Sequence, residues 1–153
     1  MKPERDEAMM RRALELAREA TTWGDVPVGA VVYREDTGKI VGEGANARER
    51  DNDPTAHAEV VAMRAACERI GSWRLHECAM AVTLEPCCMC AGAIVNARLG
   101  RLVYGATDPK AGAVASLYEI ASDDRLNHRV ETTSGVLADE CGEILREFFR
   151  SRR

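Results

Sequence analysis

Apolar residues open the chain at helical spacing: Met9, Ala13, Leu16, Ala17 and Ala20 fall three to four positions apart, so Pro3 to about Thr22 is expected to form an amphipathic helix with Pro3 in its first turn. The rhythm then changes. VPVGAVVYRE reads as a strand, DTGK as a turn and IVGEGA as a second strand, which predicts a β-hairpin over residues 26 to 45, followed by the polar loop NARERDND. Asp53 or Thr55 is suited to cap the next helix, Pro54 to start it and Gly71 to end it. Within it Val60, Met63, Cys67 and Ile70 step by three, four and three, the expected buried stripe, which makes Cys67 a core residue.

CAMAVTL, Cys78 to Leu84, is apolar throughout, as suits a strand covered on both faces. CCMCAGAIVNA then reads as a helix and RLVYGA as a strand, so part of the sheet is parallel, joined by a right-handed crossover. A loop from Thr107 to about Ala115, a short helical SLYEIASD, a weaker strand around HRVETT and a closing helix striped by Leu137, Cys141, Ile144, Leu145 and Phe148 complete the order. The sum is an α/β fold: a three-layer α/β/α sandwich around one five-stranded mixed sheet.

Composition narrows the class. A chain of 153 residues fits one domain, residues 1–153, and 46% hydrophobic with 30% charged residues argues against disorder. The charged N-terminus has no apolar signal core and no run approaches a membrane span, which points to a cytoplasmic protein without membrane partners. Six cysteines are then expected to be reduced, serving metal binding or burial. A net charge of -4 disfavours a long nucleic-acid footprint but leaves room for a local basic patch.

Two stretches carry chemistry. In TLEPCCMC a buried strand ends at Pro86, and Cys87 and Cys90, three apart at the start of a helix, can grip one ion where the helix N-terminus favours thiolates. Cys88 points off that face and is assigned to packing. In DPTAHAEVVAM, His57 and Glu59 stand two residues apart in the expected first turn of a helix, roughly 200° apart around its axis, so they do not ligate side by side. His57 with Cys87 and Cys90 makes a three-ligand zinc set that leaves a position open, while Glu59 reaches back over the helix end. A redox dithiol leaves His57 and Glu59 unexplained, and a closed structural site lacks a fourth ligand, because Cys67, Cys78 and Cys141 fall on apolar stripes or strands. His76 and His128 lack such context and are read as structural.

HAE at His57 to Glu59 and PCCMC at Pro86 to Cys90 resemble the H-x-E and P-C-x-x-C signature of the zinc-dependent nucleobase and nucleoside deaminases. The resemblance extends through VPVGAVV, GEGAN, DPTAHAE, TLEPCCMCAGAIVNAR, GATDPKAGA, NHRVE and GVLADECGEILREFFRSRR, nearly the whole chain, and is strongest to the bacterial tRNA-specific adenosine deaminases. It departs at Asp25, where a glutamate is common, and at Ala115, where a glycine is expected.

The resemblance implies a cytidine deaminase-like fold, one Zn2+ per subunit on His57, Cys87 and Cys90, and Glu59 as proton shuttle for a zinc-activated water that converts the wobble adenosine of a tRNA anticodon loop to inosine. It also implies a homodimer and substrate contacts by Asn46, Asp108 and Lys110; from spacing alone these are a loop-starting Asn and a turn. REFFRSRR interleaves aromatics with arginines, as stacking and phosphate-binding surfaces do. Phe148 is assigned to the core, and Phe149 with Arg150 to Arg153 to the RNA. Two other functions are open: a small-molecule deaminase of free guanine, cytosine or a nucleoside with the same zinc centre, and a zinc-stabilised interaction domain, which would need a fourth ligand.

Overall fold

The computed structural model describes residues 2–152. Four helices, α1 (Lys2–Thr22), α2 (Ala58–Ile70), α3 (Cys88–Asn96) and α4 (Ala138–Arg150), flank five strands, β1 (Gly29–Arg34), β2 (Ile40–Ala45), β3 (Cys78–Leu84), β4 (Arg101–Ala106) and β5 (Glu131–Thr133). The strand order is β2-β1-β3-β4-β5, with β1 antiparallel to β2 and β3, and the β3-β4 and β4-β5 pairs parallel. The mixed α/β/α sandwich expected from the sequence is the fold observed.

Alternation along each strand divides the core. Val31, Tyr33, Ala79, Ala81 and Val103 pack on one side with Met10, Ala13 and Leu14 of α1 and Cys141 of α4. Ala30, Val32, Met80, Val82, Leu102 and Tyr104 pack on the other side with Ala58, Ala62, Met63 and Ala66 of α2 and Ile94 of α3. β3 is buried from Cys78 to Thr83 because both of its faces are covered.

The buried face of α2 differs from the expected stripe. It runs through Ala58, Ala62 and Ala66 with Met63, whereas Val60 and Cys67 are half-buried and Ile70 is exposed. The cause is close approach: a Cβ on Gly42 would lie 2.3 Å from the Ala62 carbonyl oxygen, and one on Gly44 would lie 2.4 Å from that of Ala58. Only glycines facing alanines let α2 press onto β2 this tightly, and the larger residues are turned toward a groove lined also by Trp73, Ala93 and Ala97.

Helix α2 also starts later than expected. His57 is its N-cap, while Asp53 accepts hydrogen bonds from the Thr55 backbone N–H (2.8 Å) and hydroxyl (2.8 Å), closing its own turn upstream. Gly71 ends the helix in the left-handed region at φ 79°, as expected. SLYEIASD yields only a single 3-10 turn, Ile120–Ser122, with Leu117 and Tyr118 exposed. Cys88, expected to pack, is exposed on the first turn of α3, on the side away from buried Cys90. Phe148, expected in the core, is half-buried with the Arg152 guanidinium 4.5 Å above its ring, because α4 buries fully only Cys141 before running past the sheet.

At the sheet end where β3 and β4 begin, Arg101 is 2% exposed and holds Asp6 with two hydrogen bonds, Nη1 to Oδ2 at 2.8 Å and Nη2 to Oδ1 at 2.6 Å. It also donates to Glu35, and the Tyr33 hydroxyl donates to Asp6 Oδ1 at 2.8 Å. This network ties α1 to β1 and β4 at the end of the sheet opposite the loops described next. No helix among the described residues is long and apolar enough to cross a membrane.

Candidate metal centre

The loops that leave the C-terminal ends of β3 and β4, the loop after β2 and the start of α2 meet at one edge of the sheet, where open α/β folds place their ligands. They enclose a cavity of about 170 Å³ lined by Asn46, Arg48, His57, Glu59, Glu85 and Cys87 among others. That is below the roughly 300–1,000 Å³ of sites that engulf a drug-sized ligand, so it takes one small ring and leaves whatever is attached outside.

His57 and Cys87 are the N-caps of α2 and α3, so two helix N-termini converge on the same point. His57 Nδ1 lies 3.6 Å from Cys87 Sγ and 3.5 Å from Cys90 Sγ. With zinc–sulfur and zinc–nitrogen bonds of about 2.3 and 2.0 Å, a tetrahedral site separates its nitrogen and sulfur donors by about 3.5 Å, so the three side chains are spaced for one zinc ion. Among the described residues these three form the one His/Cys/Asp/Glu group close enough to share a metal.

The three donors share protons, and those favoured on His57 and Cys90 are ones that a metal ion would displace. The Cys90 thiol and the His57 ring, hydrogen-bonded to Cys87, hold its thiol down to about 3. The same contact and burial push Cys90 up, and the bond to Cys87 raises His57. Glu59 is 4% exposed, and burial pushes its carboxyl up to about 7. The first turn of α2 therefore carries a carboxyl that can both take and give a proton near neutral pH, beside the metal donors.

Asn46 is buried in the cavity wall, but its amide is engaged by the backbone: Nδ2 donates to Val26 O at 3.1 Å and Oδ1 accepts from Arg48 N at 3.2 Å. Trp23 Nε1 donates to Asn46 O at 3.0 Å, and the Arg50 guanidinium lies 4.2 Å above the Trp23 ring. Asp108 lines the cavity and its Oδ1 accepts from Lys110 N (3.1 Å) and Ala111 N (3.3 Å), while Lys110 itself is exposed outside the lining. Phe149 is 52% exposed on α4 beside Arg146 and Arg150, away from the cavity walls. Arg152 Nη2 reaches Gly24 O at 3.4 Å, next to Trp23, and Arg153 lies outside the described residues.

Two carboxylates, Asp25 and Glu85, are buried in roles that their place in the sequence does not announce. Asp25, 1% exposed, accepts from Glu49 N at 2.7 Å and Arg50 N at 3.0 Å, which fixes the loop carrying Asn46 and Arg48. Glu85, 2% exposed, accepts from four backbone N–H groups and a hydroxyl of the loop after β4. Burial alone would raise its carboxyl, but the hydrogen bonds from Ser116, Asp108 and Ala115 hold it down to about 2. The available signal was the residue type: a glutamate directly after an apolar strand is buried only when its charge is met. Ala115 donates to Glu85 Oε2 at 2.8 Å and is not among the positive-φ residues, so this position does not require glycine.

Residues 4–153 match the family model of the MafB19-like deaminases. The chain is 50% identical, over all of its own length and 88% of the relative's, to a tRNA-specific adenosine deaminase of Haemophilus influenzae. A solved structure from a study of A-to-I editing by tRNA:A34 deaminases at the wobble position superposes with a TM-score of 0.86 at 43% identity, over 90% of this chain and 99% of that one. A guanine deaminase from Nitrosomonas europaea superposes with a TM-score of 0.82 at 25% identity, over 93% of this chain and 83% of that one.

Proposed function

From the premise that this chain belongs to the MafB19-like deaminases, in the branch of the tRNA-specific adenosine deaminases, we propose that it converts the wobble adenosine of a tRNA anticodon loop to inosine. The observation that carries the reading is the placement of His57, Cys87 and Cys90 around one metal-sized point, with buried Glu59 beside them at a cavity that holds a single ring. Residues 1–153 act as one deaminase domain, working in the cytoplasm.

His57, Cys87 and Cys90 would hold zinc, which when bound supplies a Lewis acid that lowers the pKa of water toward about 7. Adenine and water give hypoxanthine and ammonia: oxygen bonds to C6, the C6–N bond breaks, and water's protons end on the ring and on the departing nitrogen. Glu59 serves as the proton carrier, accepting from water and passing protons to the ring and to the leaving amine, in a pocket whose dryness keeps its carboxyl near neutrality. An unpaired loop base suits this pocket, since it is splayed out at little unstacking cost.

Asn46 and Asp108 stand in the walls for contact with the entering nucleotide. Lys110, Phe149 and the arginines at the end of α4 lie outside, for its neighbours. The Arg152 bond to Gly24 supports this arrangement by bringing the tail of α4 next to the Arg50-stacked Trp23 that adjoins Asn46. The chain is read as a homodimer, for which the exposed apolar groove beside Trp73 offers a surface. A small-molecule deaminase shares the metal centre and is favoured by likenesses to guanine deaminases, which superpose less closely than the tRNA deaminase.

The test is ammonia release, with inosine identified by mass, from an anticodon stem-loop carrying a wobble adenosine beside free adenosine, guanine and cytosine. Inosine from the stem-loop alone is expected; turnover of a free base would overturn the substrate. Removing residues 149–153 is expected to weaken stem-loop binding and to flatten its salt dependence by about 0.7 per lost phosphate contact, with little change in melting temperature. An unchanged dissociation constant and salt slope would remove the tail from the RNA surface.

A further inference from the structure

The loop after β4 supplies one wall of the cavity through Asp108 and Ala111, yet it has no regular structure to hold it. It is folded around a single side chain. Glu85 Oε1 accepts from Asp108 N at 3.0 Å and from the Ser116 hydroxyl, and Oε2 accepts from Val114 N at 3.1 Å, Ala115 N at 2.8 Å and Ser116 N at 2.9 Å. The backbone of the same loop closes over the carboxylate at Gly112, where a Cβ would lie 2.4 Å from Glu85 Oε1. Two further bonds complete the wrap, Gly112 N to Asp108 O and Ala113 N to Pro86 O, both at 2.8 Å.

We propose that Glu85 is a positioning residue for the substrate: a buried carboxylate that acts as the template of the loop at residues 107–116 and so sets the wall against which the base and its 3′ and 5′ neighbours are placed. The proposal rests on the tRNA-deaminase reading for the substrate but not for the loop itself. Glu85 stands two residues before Cys87, so the same turn of chain that delivers a metal donor also delivers the loop's template. The distance between metal donors and loop wall is thereby fixed through one short segment, Leu84 to Cys87. Four backbone N–H groups aimed at two oxygens need an acceptor with no hydrogen of its own; an amide in its place offers one oxygen and turns an NH₂ group toward N–H donors.

Glu85→Gln is therefore expected to release the loop. Amide exchange in the free protein should accelerate at residues 108 and 114–116, and KM for the stem-loop should rise by about tenfold or more while kcat changes by less than about threefold and zinc content stays the same. Glu85→Asp, which keeps both acceptor oxygens on a shorter arm, should recover part of the exchange protection and part of KM. Should Glu85→Gln not fold, Ser116→Ala carries the test, since it deletes only the hydroxyl donor to Oε1 and should raise KM in the same direction by a smaller factor. Unchanged exchange in the loop, or faster exchange with an unaltered KM, would overturn the proposal. So would a joint fall in zinc and kcat without a change in KM, which would make Glu85 a support of the metal donors instead. Absence of inosine from the stem-loop with the unaltered protein would count against the substrate reading, while the exchange measurement still decides whether Glu85 organises the loop.

Discussion

Glu59→Gln is expected to lower inosine formation by about 10²- to 10⁴-fold, the range that positioned proton transfer contributes, while leaving one zinc per chain. Glutamine keeps the size and shape of the side chain at a position 4% exposed, so the helix start and the metal donors keep their places. What it loses is the ability to accept a proton and return it. Because burial outweighs the neighbouring His57 charge and hydrogen bonds and pushes the Glu59 carboxyl up to about 7, the neutral form is not foreign to this pocket, and the variant should melt no lower than the parent chain. Single-turnover inosine formation on the stem-loop, zinc by elemental analysis and a thermal melt are read together. Full turnover with zinc retained would remove Glu59 from the chemistry, and loss of zinc would make it part of the metal site.

The element order was legible because each piece carried its own rhythm: the two-sided apolar run of β3 and the Gly71 stop of α2 are local signals that tertiary contacts reinforce. The register of α2 was not legible. Large apolar residues pointed to a stripe through Val60 and Cys67, but alanines against Gly42 and Gly44 decide which face is pressed to the sheet, and that choice depends on β2, which is distant in sequence. That His57, Cys87 and Cys90 would come together, with Glu59 beside them, was readable because their types and spacing are restrictive. Asp25 and Glu85 were not, since their partners are backbone N–H groups of loops 23 or more residues away, and a backbone donor leaves no mark in the residue types. Lys110, placed by resemblance, and Phe149, placed by the aromatic and arginine pattern of the tail, fall outside the cavity lining, so whatever they contribute lies in contacts beyond the reacting base.

Arg101→Met is expected to destabilise the chain by about 3–5 kcal/mol at pH 7, the cost of leaving a buried partner charge uncompensated. Methionine fills the stem of the side chain, so the loss is electrostatic: Asp6, 5% exposed, keeps only the Tyr33 hydroxyl, and Glu35 loses its guanidinium. Removing Asp6 as well, in an Asp6→Leu/Arg101→Met double variant, should cost less than the sum of the single changes, because no charge is then stranded. The pH dependence fixes the cause. Burial raises the Asp6 carboxyl, but the bonds from Arg101 and Tyr33 prevail and hold it below 3.8, so its contribution is present above that value and is lost as pH falls through the depressed value. In the variant, burial acts with Arg101 gone and the carboxyl is raised instead, so its charge destabilises at neutral pH and protonation on acidification relieves the strain. The two effects have the same sign for the difference: the stability gap, measured by urea melts, should be widest at pH 7 and narrow steadily toward about pH 4 and below. A gap that stays constant with pH would mean that Arg101 contributes by packing and not by holding the Asp6 charge. Because the network lies at the end of the sheet opposite His57 and Cys87, zinc content and KM of the folded variant should match the parent chain, which separates this loss of stability from any effect on the reaction.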